Sequence, residues 1–270
     1  MTQRKEKSKI TEEDLQMIAN FRLMDDDFMT VVFDRNYRAV ERVLDVILQR
    51  DDLKVLEVVT QREYKNPVTG GRSVKLDVYV EDLDGKIYDV EVQRADEGAD
   101  VHRARFHSSM LDTRMLKENQ KFKQIHDSYV IFITENDYFG KNLPLYRIER
   151  VVRELNTFFE DGSHIIYVNG SYENDDDPVG RLMHDFRCKE ADDMFYEELQ
   201  DSVRHFKETE GGRSKMCKAM EERIDRENTK RRVKDVKSLM KNLSLTAEQA
   251  MDAINCTPEE RDELIRQLDN

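Results

Sequence analysis

Apolar and polar residues alternate most clearly in the segment 74–93, VKLDVYVEDLDGKIYDVEVQ. A period of two is typical of β-strands that bury one face. The alternation stops at Asp82-Leu83-Asp84-Gly85, where the residues favour a turn and Gly85 suits a left-handed backbone position. The pattern therefore predicts a β-hairpin with strands at 73–81 and 86–93. One face of this hairpin carries polar side chains: Lys75, Asp77, Asp89, Glu91 and Gln93.

The geometry of the turn decides which residues face each other across the hairpin. If residues 83–85 form a three-residue loop closed by a glycine bulge, Asp82 pairs with Lys86 and Asp77 lies opposite Glu91. The Cβ atoms of such a pair are about 4.5–5.5 Å apart, so two ionised carboxylates repel each other unless a cation or shared proton intervenes. A divalent cation with oxygen ligands would remove the repulsion. A two-residue loop would instead place Val90 opposite Asp77, so the acid pair depends on the register.

The remaining pattern predicts a mixed α/β fold followed by a helical tail. A short helix or arm at 12–24, helices at 36–49 and 99–117 and a largely helical segment at 183–206 accompany further strands at 53–60, 129–134, 146–152 and 164–169. Gly211-Gly212 predicts a hinge, and we expect a domain at 1–210 and a helical extension at 211–270. Capping boxes beginning at Thr246 and Thr257 predict two short final helices. These helices suit a dimerisation or partner-docking element better than a helix-turn-helix reader of DNA, because the last one is acidic.

Composition limits the class of protein. At 270 residues, with 38% hydrophobic and 37% charged residues, the chain supports one sizeable core with a very polar surface. No run of eighteen apolar residues is present, and the first sixteen residues lack the apolar core of a secretion signal. Three widely spaced cysteines suggest reduced thiols instead of disulfides or a zinc site. We therefore expect a cytoplasmic protein that does not enter a membrane.

The distribution of charge bears on nucleic-acid binding. A net charge of −13 disfavours contact with phosphates, but residues 213–241 contain eleven Lys/Arg against five Asp/Glu. Lys230, Arg231 and Arg232 lie in this segment, which either follows a phosphate backbone or is a solvated helix. Arg103 and Arg105 on the predicted helix 99–117 form a second candidate contact, because a guanidinium suits a phosphate. His102, Arg103 and Arg105 cannot all face one way on a helix.

The hairpin motif, LDVYV followed by YDVEVQ, resembles the PD-(D/E)XK nuclease superfamily and, more narrowly, the bacterial recombination-promoting nuclease and putative transposase group. The resemblance covers roughly residues 20–210. Gln93 departs from the lysine that many nucleases of the superfamily carry at this position. Further segments share the likeness in order along the chain: LMDDDFMTVVF (23–33), VQRADEGADVHRARFHSSMLD (92–112), YVIFITENDYFGKNLPLYRIERV (129–151), DGSHIIYVNGSY (161–172) and LMHDF (182–186).

The resemblance implies a metal-dependent DNA endonuclease that acts in recombination or transposition-like processes. It implies a restriction-endonuclease-like core, a mixed central sheet flanked by helices, with an α-helical C-terminal tail. Asp77 and Glu91 would hold Mg²⁺ or Mn²⁺, and Gln93 would orient water without providing a positive charge. We hypothesise that Lys75, on the same face, provides that charge.

Other readings of these residues stay open. Asp89 lies nearer the turn and is expected on a solvated face. Glu41, on the helix 36–49, either provides an acid that some members of the superfamily place there or, as we favour, only borders the core. The whole chain could instead be a nucleic-acid-binding or regulatory protein on a decayed nuclease fold, although both acids of the motif are present. Cutting both DNA strands would favour a homodimer.

Overall fold

A computed structural model describes residues 10–268 of the chain, and at residues 96, 97 and 259 it describes the backbone alone. Residues 1–9, on which much of the expectation about secretion rests, lie outside this range. The chain divides into two compact units after Met216, compared with the predicted boundary after residue 210. Among residues 10–268, no helix is long and apolar enough to cross a lipid bilayer.

The first unit contains a six-stranded mixed sheet within the described residues. Its strands β1–β3 pair in antiparallel fashion, β3, β4 and β8 are parallel, and β5 is antiparallel to β8 at the edge. The order is β1-β2-β3-β4-β8-β5, and β6 and β7 form a separate ribbon. This mixed sheet confirms the predicted fold class. The strands are β1 (Val55–Tyr64), β2 (Val74–Asp82), β3 (Ile87–Gln93), β4 (Ser128–Thr134), β5 (Leu145–Ile148), β6 (Val151–Val152), β7 (Thr157–Phe158) and β8 (Ser163–Asn169).

Helices flank this sheet and form the tail. They are α1 (Glu12–Asn20), α2 (Asp26–Phe33), α3 (Tyr37–Leu48), α4 (Val101–Met115), α5 (Pro178–Arg187), α6 (Glu197–Glu208), α7 (Glu210–Leu243), α8 (Ala247–Ala253) and α9 (Pro258–Leu268). The predicted strand 146–152 is divided between β5 and β6. Helix α2 was not predicted, because only its apolar residues Phe28, Met29, Val32 and Phe33 mark it, and these are buried. α4 connects β3 to the parallel strand β4, which brings it across one face of the sheet.

The second unit packs the distal part of α7 with α8 and α9 around a small core of Val236, Ala250, Met251 and Leu264. Both predicted capping boxes are present, at Thr246 with Gln249 and at Thr257 with Glu260. The predicted hinge is displaced. The break between α6 and α7 lies at Thr209, and Gly211-Gly212 form part of the first turn of α7.

The hairpin register agrees with the prediction. The backbone N–H of Asp82 donates to the carbonyl of Lys86 at 3.1 Å, and Gly85 has φ of +78°. The Asp82 carboxylate accepts from the backbone N–H groups of Asp84 and Lys86 and from the Tyr88 hydroxyl at 2.7 Å. Along the strands, Tyr79 pairs with Asp89 and Val78 with Val90. One further step on each strand places Asp77 opposite Glu91.

The part of the polar face that β3 contributes is mostly buried. β3 lies inside the sheet between β2 and β4, and every residue of β3 except Gln93 is buried. Asp89 is 0% exposed, so the expectation that it lies on a solvated face is wrong. The physical reason is tertiary: α4 packs over β4 and β8 and carries His107 onto Asp89.

Candidate active site

Three carboxyl groups lie together on the face of the sheet below α4. Asp77 projects from β2, while Asp89 and Glu91 project from β3. The backbone N–H of Asp77 donates to Glu91 Oε1 at 3.0 Å, so this side chain continues the hydrogen bonding between β2 and β3 next to the pair Val78 and Val90. Gln61 Nε2 donates to Asp77 Oδ1 at 3.3 Å from β1. Three adjacent strands thus fix the acid pair.

Helix α4 adds two basic side chains one turn apart. Arg103 Nη2 donates to Glu91 Oε2 at 2.6 Å, and Arg103 Nε donates to His107 Nε2 at 3.3 Å. His107 Nδ1 lies 2.8 Å from Asp89 Oδ2. Because Nε2 accepts from Arg103, the ring proton lies on Nδ1 and donates to Asp89, which is the neutral tautomer. In agreement, burial lowers the pKa of His107 from its usual value.

The carboxyl groups resist ionisation in this environment. Burial, followed by the charge of Glu91, raises the pKa of Asp77 to about 8. Burial, followed by the charge of Asp89, raises the pKa of Glu91 to about 8. Burial also raises the pKa of Asp89 well above its usual value. With all three ionised and His107 neutral, Arg103 leaves two negative charges uncompensated within this group.

A divalent cation fits this charge and these donors. It would balance the two excess charges, and carboxylate oxygens are the ligands that Mg²⁺ and Mn²⁺ prefer. Ligand atoms of Asp89, Glu91 and His107 lie within 4.8 Å of one another. Asp89 Oδ1 is buried and has no hydrogen-bond partner among the residues that the structure describes. Both ring nitrogens of His107 are already engaged, whereas a carboxylate oxygen that accepts one hydrogen bond keeps a second lone pair, so the carboxyl groups of Asp77, Asp89 and Glu91 are the candidate ligands.

Gly98 leaves room for Gln93. It lies in a short 3₁₀ turn, Asp96–Ala99, between β3 and α4. A Cβ atom at this position would lie 2.0 Å from Gln93 Oε1, and the Gly98 carbonyl accepts from Arg103 Nη1 at 2.9 Å. The absence of a side chain therefore allows Gln93 to reach both Glu91 Oε2, at 3.3 Å from its Nε2, and Arg103.

Gly98→Ala is expected to affect the site more than the fold. The Cβ would displace the flexible end of Gln93, so we expect the free energy of unfolding to change by less than about 1 kcal/mol and the cleavage rate to fall about tenfold. Urea denaturation and plasmid nicking measure the two effects. Gly211→Ala is the control, because a Cβ there meets nothing within 4 Å. If the free energy of unfolding falls by as much as the free-energy equivalent of the tenfold loss of rate, Gly98 supports the fold and not specifically the site.

The other predicted residues lie as follows. Lys75 is exposed near the start of β2, opposite Glu63 of β1, and Arg105 is exposed on α4. Lys230 and Arg231 are exposed on α7 in the second unit. Arg232 is half-buried there, and its Nε lies 3.2 Å from Glu260 Oε1.

Glu41 lies apart from the carboxyl groups of Asp77, Asp89 and Glu91. It accepts from the backbone N–H of Val55 at 2.9 Å, and Val55 begins β1 at the end away from Gln61. The sequence interpretation did not include Gln61 or His107 in the site. The four-residue spacing of Arg103 and His107, which puts both on one helix face, is the signal that could have identified His107.

Comparisons with known proteins agree with this geometry. The family model of the PD-(D/E)XK nuclease family transposases matches residues 33–171, which is just over half of the chain. The match runs from the end of α2 past β8 and includes all six strands of the main sheet. Searches of curated proteins and of solved structures found no match. The chain belongs to the PD-(D/E)XK nuclease family transposases, which supports a nuclease or transposase type of role.

Proposed function

We propose that this protein is a divalent-metal-dependent DNA endonuclease of the recombination-promoting nuclease group. The observation that carries the proposal is the pair formed by half-buried Asp77 and buried Glu91, joined at 3.0 Å through the Asp77 N–H and raised in pKa to about 8. Buried like charges are costly, and a bound Mg²⁺ or Mn²⁺ offsets that cost. DNA is the substrate class that the family implies.

Each residue then has a chemical role in phosphodiester hydrolysis. Asp77 and Glu91 hold the ion, which when bound supplies a Lewis acid for the phosphoryl oxygens and lowers the pKa of water. Gln93 lies beside Glu91 and can orient the attacking water through its amide. Lys75 or Arg103 contributes positive charge toward the phosphate, and Arg105 is a further candidate for DNA contact.

A second candidate function is binding of nucleic acid without cleavage. Gln93 replaces the lysine of many related nucleases, and Arg103 contacts both Glu91 and Gln93, so a guanidinium already lies against one proposed metal ligand. A protein with this arrangement could serve a regulatory role on the nuclease fold. The two candidates differ in one measurable property, the metal-dependent breakage of DNA.

Supercoiled plasmid tests the proposal directly. We expect relaxed or linear product with Mg²⁺ or Mn²⁺ and none with a chelator. DNA binding with no product under any divalent cation would support the second candidate and contradict the first. Early appearance of linear DNA would indicate two sites acting together, as in the homodimer that we propose for double-strand cleavage, and the mass of the particle in solution checks it.

Lysine side chains on α7 offer a surface for the DNA backbone. Lys230, Lys234, Lys237 and Lys241 follow one another at four- and three-residue spacing, so they share one face, and all are exposed. They extend over roughly 17 Å of helix. We propose that this lysine face, together with Arg231, contacts phosphates, while Arg232 holds α9 through Glu260.

Replacing the four lysines of this face with glutamine is expected to weaken salt-dependent DNA binding. Each phosphate contact contributes a magnitude of about 0.9 to the slope of log K against log salt, so the magnitude of the slope should fall by about 3.6 when four contacts are lost. Fluorescence anisotropy in the presence of a chelator measures it. A control with the same change of charge replaces exposed lysines of the first unit: Lys117, Lys121, Lys123 and Lys141. An equal fall in slope for both sets would contradict a specific role for α7.

A further inference from the structure

The guanidinium of Arg103 contacts Glu91, one of the proposed metal ligands, together with the groups beside it. Its Nη2 donates to Glu91 Oε2 at 2.6 Å, and its Nη1 donates to Gln93 Oε1 at 3.3 Å and to the Gly98 carbonyl at 2.9 Å. The group is about one-third exposed, so it reaches the surface as well as the buried acids. Arg103 thus contacts both Glu91 and Gln93, the two named residues of the Glu-x-Gln motif.

Arg103 also determines how the Gln93 amide is oriented. Because Nη1 of Arg103 is a donor, it can meet only the carbonyl oxygen of the amide, and this directs the Gln93 NH₂ group toward Glu91 Oε2 at 3.3 Å. A lysine at position 93 would place its ammonium beside Glu91 in the same region. The guanidinium of Arg103 thus brings a positive charge to Glu91, as the ammonium group of a lysine at position 93 would.

Side chains of α4, β3 and β4 hold the guanidinium in place. Nε of Arg103 donates to His107 Nε2 at 3.3 Å, and His107 in turn donates to the buried Asp89 at 2.8 Å. The Phe132 ring of β4 lies 5.9 Å from Arg103 Cζ. An arginine that only shielded surface charge would not need this chain of partners.

We propose that Arg103 supplies the fixed positive charge of the site, the charge that a lysine at position 93 would supply, and that His107 and Asp89 position it. This inference rests on the proposed nuclease function and replaces the hypothesis about Lys75. Lys75 is exposed and lies opposite Glu63 on the neighbouring strand, two residues before Asp77 along β2.

A double-mutant cycle between Arg103→Gln and Gln93→Lys tests the proposal. In the wild type, Gln93→Lys adds a second cation beside Arg103, so we expect it to lower both the melting temperature and the nicking rate. In the Arg103→Gln background the same change gives Glu91 a new cationic partner, so we expect it to raise both. This reversal of sign is a property of charge exchange, and loss of packing alone does not produce it.

The expected sizes can be measured. Arg103→Gln should reduce the nicking rate about 100-fold, which is typical of removing one preorganised donor, and Gln93→Lys should restore it at least about tenfold. The melting temperature should change by a few degrees in each direction. Arg103→Gln alone could fail to accumulate as folded protein. In that case, recovery of folded protein in the double variant shows the stabilising effect of Gln93→Lys in that background. The destabilising effect of Gln93→Lys is then measured in the wild-type background.

Arg114→Gln provides the matched control on the same helix, since Arg114 contacts the carbonyl of Lys65 and not the motif. Gln93→Lys should change the melting temperature and the nicking rate by the same amount in the Arg114→Gln background as in the wild type. The proposal is overturned if Gln93→Lys changes the melting temperature in the same direction in the wild type and in Arg103→Gln. If the wild type cleaves no DNA, the nuclease function fails, and the melting-temperature cycle still decides whether Arg103 carries the charge at this site.

Discussion

Replacing Asp77 with asparagine is expected to lower the rate of metal-dependent nicking by about a thousandfold, or about 4 kcal/mol of transition-state stabilisation. Asparagine keeps the oxygen that accepts from Gln61 Nε2 but loses the charge that would hold the cation. The rate with saturating Mg²⁺ on supercoiled plasmid, compared with the wild type prepared in parallel, measures the loss.

The same substitution is expected to stabilise the metal-free protein at alkaline pH. Ionised Asp77 faces Glu91 in a buried setting, and both resist ionisation. Removing one of the two charges removes that repulsion, so the melting temperature at pH 9 should rise above the wild-type value in a chelator. A gain in stability with a loss of activity is typical of a site whose charges serve function.

Glu81→Gln is the matched control for both readouts. Glu81 is a half-buried carboxylate on the same strand, and it accepts from the Tyr79 hydroxyl at 3.1 Å, which an amide oxygen also can do. It should leave the nicking rate unchanged. An Asp77→Asn protein that still nicks DNA with Mg²⁺, or a Glu81→Gln protein that does not, would place the site elsewhere.

The hairpin could be predicted because its information is local. Asp82 and Gly85 specify the turn, and the turn sets the register that places Asp77 opposite Glu91. Strand alternation and long apolar segments likewise indicate the order of elements. Local chemistry and the observed pairing agree in this part of the chain, which is the usual condition for a correct prediction.

The surroundings of the acid pair could not be predicted in the same way. Alternation in β3 is compatible with a solvated face, and only the path of α4 across the sheet shows that Asp89 is buried. The choice between Lys75 and Arg103 as the nearby cation depends on the same path, because Arg103 is ten residues away from Gln93 in sequence. Tertiary packing decides these contacts, and the residue pattern of a single strand gives no information about that packing.

Helix α2 was missed for a related reason. Its eight residues begin with two aspartates and give little helical periodicity, yet Phe28, Met29, Val32 and Phe33 are all buried in the first unit. Short helices derive most of their stability from packing against a core. Such helices are therefore evident in the folded unit, but their sequence shows little helical periodicity.

The metal-free protein is expected to lose stability as the pH rises from about 4 to about 8. Asp77 and Glu91 have folded pKa values of about 8, well above those of an unfolded chain, so the native state holds protons that the unfolded state has already released. Unfolding is then favoured by about 1.4 kcal/mol per pH unit for each such group. Between pH 6.5 and pH 8 we expect a loss on the order of 2–3 kcal/mol, or roughly 5–10 °C in melting temperature.

Below about pH 6.5 His107 acts in the opposite direction. Burial lowers its folded pKa, so the unfolded chain binds a proton there that the native ring does not, and this group alone would make acidification destabilising. The two carboxyl groups outweigh the single ring, so the stability of the metal-free protein should still increase as the pH falls below 6.5, but with a smaller slope. Melting curves in a chelator at half-unit steps from pH 5 to pH 9 measure the two slopes.

A divalent cation is expected to prevent the loss of stability that the metal-free protein shows as the pH rises toward 8. Binding requires the two carboxylates to be ionised, so affinity should rise with pH in the same window and up to two protons should be released per ion near pH 7. Calorimetric titration with Mg²⁺ in two buffers of different ionisation enthalpy counts those protons. Asp77→Asn should make the fall of stability with pH less steep, because one of the titrating carboxyl groups is gone. A slope equal to that of the wild type would show that other groups titrate, and the acid pair would then not be the origin of the metal dependence.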